Sequence, residues 1–589
     1  MKKGFTILLI LLGIISIKAQ ETPVEKVKDT VKTEVVEVVT KYNPKIADAN
    51  KIKKNPRVKL VEKSEKKKLK YTIFSAPVAS TFVPKSGVVK GIDVGVKERI
   101  YKNYLAAGYG NYGTTFVEAF LHHSTRFESE FGLSAKYLGS EDKVRQSVLN
   151  SNFSNLNVGV FYKQEDRYFD WKVSLNSEKN QYNWYGLPDK VFAETTVNSI
   201  NEKQTFNYFN AIGEFKFKDS YIDFGKLSVS YFTDDYKSTE VLAKFDAKLD
   251  FPLDFLGPNL NDISIISSVE YLKGEFKNSY KDENPLKYGT ITAKINPEYK
   301  VSYIGFAFKA GFKTYVSLDS ENAANNIFLF PDLLLQRPII LGYLNIYGGL
   351  TGNLHTNTYK DFTEENPFVS PTLFITQTAE ETSWFIGLNG KITNDISFNL
   401  KASAKNEEDK PLLLRNASKS DGLTAIVNNS LLKGYEFGNS FSVFYDDVKT
   451  TSLFAELQYD FSRRITFSTQ VQFDNYTVDN ALTAWNLPTL QASFKAEYKK
   501  DKWYATANAF YVSERQDGLY NGEFPSSFSG IQTIDSFIDV NLNGGYHFND
   551  KFSAFLKMNN ILNTEYQRFV NFDTQGFQVL GGITYKFDF

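Results

Sequence analysis

From Leu453 the chain alternates between two chemistries, one residue at a time. Leu453, Ala455, Leu457, Tyr459 and Phe461 fall on one face, while Glu456, Gln458 and Asp460 fall on the other. After Ser462, Arg463 and Arg464 the pattern restarts, with Ile465, Phe467, Val471 and Phe473 set against Thr466, Ser468, Gln470, Gln472 and Asp474. A period of two is the pattern of a strand with one apolar and one polar face, and the short break predicts a hairpin. Two further hairpins repeat it. Leu490, Ala492, Phe494, Ala496 and Tyr498 turn at 499–502 into Trp503, Ala505, Ala507, Ala509 and Tyr511. Ile538, Val540, Leu542, Tyr546 and Phe548 turn at Asn549 and Asp550 into Phe552, Ala554, Leu556 and Met558.

Alternation alone fits a soluble sandwich as well as a membrane barrel, so strand length and loop asymmetry have to decide. Connections at 393–395, 462–464 and 549–550 are short, whereas those at 178–203, 354–381 and 517–536 are long. Strands of about ten residues joined by alternating short and long turns are the outer-membrane arrangement, short on the periplasmic side and long outside. Composition agrees: 51 Phe, 35 Tyr and 5 Trp make 15% aromatics, yet mean hydropathy stays negative. Membrane barrels place such aromatics in girdles at the two lipid interfaces.

Short turns are expected near Thr125, Glu165, Ser220, 253–261, Lys300, Arg337, Asn394, Arg463, Lys500 and Asn549. Ten periplasmic turns with both ends of the barrel on that side predict an all-β transmembrane antiparallel barrel of about 22 strands. The parity closes if 406–450 is one external excursion, and because 434–448 is itself strand-like, that excursion is expected to be a hairpin projecting above the membrane.

The N-terminus carries its own signal. Lys2 and Lys3 precede an apolar run from Phe5 to Ile17 and a small-residue exit at Ala19, the composition of a secretory signal peptide over 1–20. The run is too short for a membrane-spanning helix, which needs roughly 20 residues. Cysteine is absent, which removes disulfides, thiol catalysis and lipid attachment through cysteine.

At the other end Phe577, Val579, Gly581, Ile583, Tyr585, Phe587 and Phe589 share one face. An alternating strand with Tyr585, Phe587 and a final Phe589 is the expected recognition signal for the barrel-assembly machinery. Together with Asn559, Asn560, Ile561, Leu562, Asn563, Thr564, Glu565, Tyr566 and Gly576, this closing stretch resembles the C-terminus of TonB-dependent receptors. The resemblance spans the barrel from about Arg99 and implies a receptor or channel for uptake of a bulky solute.

The same resemblance implies a glycine-rich plug ahead of the barrel, and here the sequence departs. Only 21–96 is available, without a glycine between Glu21 and Ser86, so no full plug domain is expected. Residues 21–70 hold 15 Lys or Arg against 8 Asp or Glu, a charged periplasmic segment of the kind that stays extended alone. It is read as a lumen strap or a partner-binding tail, followed by the barrel at 97–589. Within it Thr33, Glu34, Val35, Val36, Glu37, Val38, Val39 and Thr40 are similar to the short β-prone box by which these receptors add a strand to a periplasmic energy-coupling protein.

Catalytic chemistry finds little support. His122 and His123 are adjacent on a strand and point to opposite faces, so they cannot share a metal. His355 begins a long loop, and His547 is placed on the inward face beside Asn541 and Asn543. The acidic run Glu407, Glu408, Asp409 is read as a solvated face. No phosphate-cradling loop or nucleic-acid signature appears, and no cofactor, metal or enzymatic activity is expected. Two functions remain: uptake of a bulky solute, or a non-transporting scaffold within an outer-membrane complex, each embedded in outer-membrane lipid.

Overall fold

The computed structural model describes residues 101–588 apart from 126–127, 189–190, 254–262, 283, 304, 322–324, 428 and 522–525. The expected signal peptide, the charged segment 21–96, the box 33–40 and Phe589 lie outside the described residues.

Twenty-two strands form one antiparallel sheet that closes on itself. The first, Asn103–Gly110, pairs on one side with Thr115–Ser124 and on the other with the last, Gln578–Phe587, in a register running from Asn103↔Phe587 to Gly110↔Leu580. Closure leaves no edge, so the wall's N–H and C=O groups find partners within the sheet, the condition for a sheet in hydrocarbon.

The outward face follows the alternation. Leu453, Leu457, Phe461 and Phe473 are exposed, as are Ile386 and Leu400 on neighbouring strands. Exposed aromatics gather beside the short turns: Tyr168, Tyr221, Phe461, Trp503 and Phe548, with Trp503 against Tyr546 at 4.6 Å between ring centroids. This is an interfacial girdle at the periplasmic end. Tyr585 stacks on Phe587 at 5.7 Å within the closing strand. The chain is an outer-membrane β-barrel.

Nine connections of two to four residues lie at one end; the tenth, expected at 253–261, falls almost wholly outside the described residues, and two of the nine are displaced. The turn expected at Lys300 joins Leu286–Tyr303 to Phe306–Asp319, and the one expected at Arg337 joins Asn325–Ile340 to Leu344–Thr356. Each turn forms where a glycine supplies positive φ, Gly305 at 78° and Gly342 at 77°. Pro338 stays within the strand, where a register shift between Pro338 and Ile340 accommodates it.

The expected external hairpin is present and continuous with the wall. Ile396–Arg415 and Phe441–Ser462 stay paired from Ile396↔Tyr459 to Arg415↔Phe441, interrupted by one shift between Glu407 and Lys410. That shift corrects the reading of the acidic run as a solvated face at one residue, since Glu408 and Asp409 are exposed and Glu407 is not. Glu407 is buried and bridges Lys405 at 3.0 Å and Lys410 at 2.6 Å, while Asp409 takes a positive φ of 51°.

Two halves of the inner wall differ. From Ser129 to Ile340 it carries cross-strand ion pairs such as Lys244–Glu270 at 3.4 Å, Lys248–Asp223 at 2.8 Å and Lys309–Asp332 at 2.8 Å. From Phe441 to His547 amides such as Gln470, Gln472, Gln491 and Asn543 alternate with charged groups such as Glu456, Asp474 and Lys495. Pairs of this kind beside water contribute about 0–1 kcal/mol each, so they set the character of the wall more than its stability.

Candidate functional site

Packing between distant loops is concentrated at the extracellular end, where the segment joining Leu344–Thr356 to Gln377–Thr393 folds into the barrel. Thr358 caps a short helix, Tyr359–Glu365, by accepting from the Asp361 N–H. Tyr359 is 1% exposed, with its ring 4.8 Å from Phe276 and 5.1 Å from Phe232. Both partners lie on the inward parity of their strands, since Val229, Tyr231, Val269 and Tyr271 point outward and are exposed. The helix therefore sits inside the wall.

Two carboxylates at adjacent strand ends hold it there. Asp234 Oδ2 accepts from the Tyr359 hydroxyl at 2.9 Å. Glu240 Oε2 accepts from Tyr359 N–H and from the Tyr288 hydroxyl, each at 2.6 Å, and its Oε1 accepts from Lys360 N–H at 3.2 Å. A carboxyl oxygen on the first N–H groups of a helix satisfies donors that have no intrahelical partner. Lys360 Nζ reaches Glu178 at 3.1 Å and also bridges Glu364.

Beyond the helix the segment ties the other loops together. Phe368 stacks on Phe572 at 3.8 Å between centroids, its carbonyl accepts from Trp184 Nε1 at 3.1 Å, and Ser370 N–H donates to Phe441 O at 2.8 Å. Tyr435 packs on Trp184 at 5.4 Å, and Asn439 Nδ2 donates to Trp184 O at 2.6 Å. Arg515 Nη2 donates to Gln567 O at 2.7 Å. The long loops thus share one aromatic core containing Trp184, Tyr359, Phe368, Tyr435, Phe441 and Phe572. They form a cap within the outer mouth.

Burial acts on the cap's ionisable groups. The Tyr359 phenol, desolvated and beside Asp234, stays protonated far above its ordinary range. Desolvation raises the carboxyls of Asp361 and Glu365. Burial lowers the Lys360 ammonium, but Glu364 and Glu178 outweigh it and hold it above its usual value. Because the folded carboxyls bind protons more readily than unfolded ones, closure of this segment strengthens as pH falls from neutral toward about 4, the ordinary carboxylate value. Hydrogen exchange of 359–366, corrected for intrinsic rates, should therefore show greater protection at the acid end. A loss of protection there would mean that the segment is held chiefly by its ionised carboxylates.

The histidines do not converge. His122 faces Glu130 at 3.6 Å, His123 is exposed on the opposite face, His355 lies 3.5 Å from Glu380, and the His547 ring is 5.4 Å from that of Tyr504. Among the described residues no three His, Cys, Asp or Glu side chains group to hold a metal ion. Sequence reasoning missed Asp234, Glu240 and Tyr359. A signal was present, because Phe362, Phe368, Val369, Leu373 and Ile375 make the segment too apolar for a loop in water.

No protein-family model and no curated protein matches the sequence. Among solved structures the chain is similar to the FrpB iron transporter of Neisseria meningitidis, with a TM-score of 0.63, 9% identity, and 83% of this chain and 82% of that one covered. It shares the barrel fold of outer-membrane receptors. The ferripyoverdine receptor of the outer membrane of Pseudomonas aeruginosa aligns with a TM-score of 0.59 and 12% identity over 83% of this chain and 72% of that one. The siderophore receptor PirA of Acinetobacter baumannii aligns with a TM-score of 0.59 and 11% identity over 82% and 80%.

Proposed function

We propose that the chain is an outer-membrane receptor and channel for a bulky solute, with the infolded segment 357–376 as its outer gate. The observation that carries the reading is the helix Tyr359–Glu365, held inside the wall by side chains of other strands. A loop serving only to join two strands has no need to enter the barrel, whereas a gate must occupy the path and be releasable. The fold shared with iron and siderophore receptors supports the same reading, as does the resemblance of the C-terminal stretch to TonB-dependent receptors. The box Thr33–Thr40 is the proposed contact for a periplasmic energy-coupling protein, which would supply the work of opening.

The test is permeability of cells to large glycopeptide antibiotics, with surface expression held equal. Removing residues 359–375 should sensitise cells expressing the barrel, and removing 33–40 should leave the closed state tight while abolishing energised uptake. Unchanged sensitivity after the first deletion would overturn the gate.

A second reading, a non-transporting subunit of an outer-membrane complex, is favoured by one feature. The tip of the external hairpin exposes Leu423, Ile426 and Leu431, an apolar knob that a partner would cover. Purification from native membranes in mild detergent separates the two, since a stoichiometric partner supports the scaffold and a solitary barrel the receptor.

A further inference from the structure

Beside the cap a cavity of about 400 Å³ opens between the first long loop, the infolded segment, the last long loop and the inner wall. One side is aromatic. Tyr185 meets Phe572 edge-on at 5.0 Å, and Phe572 stacks on Phe368, so flat apolar faces are presented in fixed orientations.

The other side is polar, with its hydrogen-bonding capacity only partly used. Asp539 Oδ2 accepts from the Tyr566 hydroxyl at 3.0 Å, whereas its Oδ1 is buried without a partner among the described residues. Asn541 Oδ1 is fixed by the Asn560 N–H at 3.0 Å, which leaves its amide nitrogen as the available donor. Arg568 is exposed, and its contact with Glu365 O is long, at 3.5 Å, so most of its N–H groups remain for a ligand.

Three ligand classes can be weighed against this lining. An apolar solute would take water from the Arg568 guanidinium and the Asn541 amide nitrogen, which line the crevice, and return no acceptor to either, which is unfavourable. A polyanionic chelate would meet a single guanidinium beside the carboxylates of Asp539 and Asp573. A ring solute with closely spaced hydroxyls donates to the carboxylate, accepts from amide and guanidinium, and lays its C–H faces on the aromatic wall. The cavity falls within the range of small-ligand sites. We infer that this crevice binds an uncharged, hydroxyl-rich ring solute, a neutral oligosaccharide. The inference rests on the reading of the chain as a solute receptor and gives that receptor a substrate class.

The test uses the full-length protein in a zwitterionic detergent, because alkyl glycoside headgroups would compete for the crevice. An array of neutral glycans is probed first, then the best-retained free oligosaccharide is titrated by calorimetry, with ferric desferrioxamine as the comparison ligand. Binding should weaken tenfold or more in Arg568→Gln and in Asp539→Asn, and should be unchanged in Gln472→Ala, which lies outside the crevice. Heat-modifiable migration on gels confirms folding, and Arg568→Gln, at an exposed position, decides alone if Asp539→Asn fails to assemble. No retained glycan, binding indifferent to both substitutions, or equal binding of the ferric chelate would each overturn the inference. If glycans fail to bind while removal of 359–375 still admits large antibiotics, only the substrate class falls. If glycans bind but the gate deletion admits nothing, the crevice stands and transport falls.

Discussion

Glu240→Ala is expected to release the infolded segment in an otherwise intact barrel. The substitution leaves the Tyr288 hydroxyl and the N–H groups of Tyr359 and Lys360 without their acceptor. Each buried donor so orphaned costs about 1–3 kcal/mol, and because the three share one site their sum is of the order of 3–6 kcal/mol. As 1.4 kcal/mol is about tenfold, the open population of the segment should rise by roughly 100-fold or more. Lys360 provides the readout, since it is buried in the closed state and trypsin cuts after lysine. Trypsin added to intact cells should yield a new peptide beginning at Asp361 from the variant and little from the parent. Glu240→Gln, which keeps an accepting oxygen, should fall between them. Equal cleavage in all three would mean that Glu240 does not hold the segment.

Arginine on the outward face should be tolerated far less than arginine on the inward face. Ile386 is paired with Ala402, and Ala402 with Leu453, and both Ile386 and Leu453 are exposed to lipid. Ile386→Arg and Leu453→Arg should each lower stability by about 2–4 kcal/mol if they lie near the bilayer midplane, and the double variant should fail to accumulate as a heat-modifiable barrel. Gln472→Arg, one strand away on the inward face, should leave assembly unchanged. Urea unfolding of the refolded proteins in liposomes measures the difference. Equal losses at 386 and 472 would contradict the assignment of the faces.

These two experiments address parts of the molecule that were unequally legible in the sequence. The wall could be read from local pattern, because a strand's period of two and a neighbour's turn are written within some twenty residues. Leu453 and Gln472 could be assigned to opposite faces from their parity alone. Turn positions expected at Lys300 and Arg337 shifted to where glycine conformations at 305 and 342 permit the reversal. The cap could not be read in the same way. Phe368 meets Phe572 across more than two hundred residues, and Glu240 reaches Tyr359 from six strands earlier; neither pairing has a periodicity to reveal it. Only the apolar composition of the loop hinted that it was not solvated. Glu407 failed for a related reason, since its burial depends on a register shift and on lysines at 405 and 410, not on the acidic run itself.

The seam between Asn103–Gly110 and Gln578–Phe587 has a consequence for the order in which the barrel can form. Every other pairing in the wall joins strands that are consecutive along the barrel and can grow from a hairpin, while this one joins residues 484 positions apart, as in the bond from Asn103 to Phe587. Closing a chain of that length costs about 4 kcal/mol more than closing a four-residue turn, and no part of that cost is recovered until the last strand is in register. Zippering is therefore cheap everywhere except at its final step, and the sheet remains an open ribbon with two unsatisfied edges until the ends meet. A catalyst that holds the C-terminal strand while the ribbon lengthens would act on the one step for which the chain has no local template.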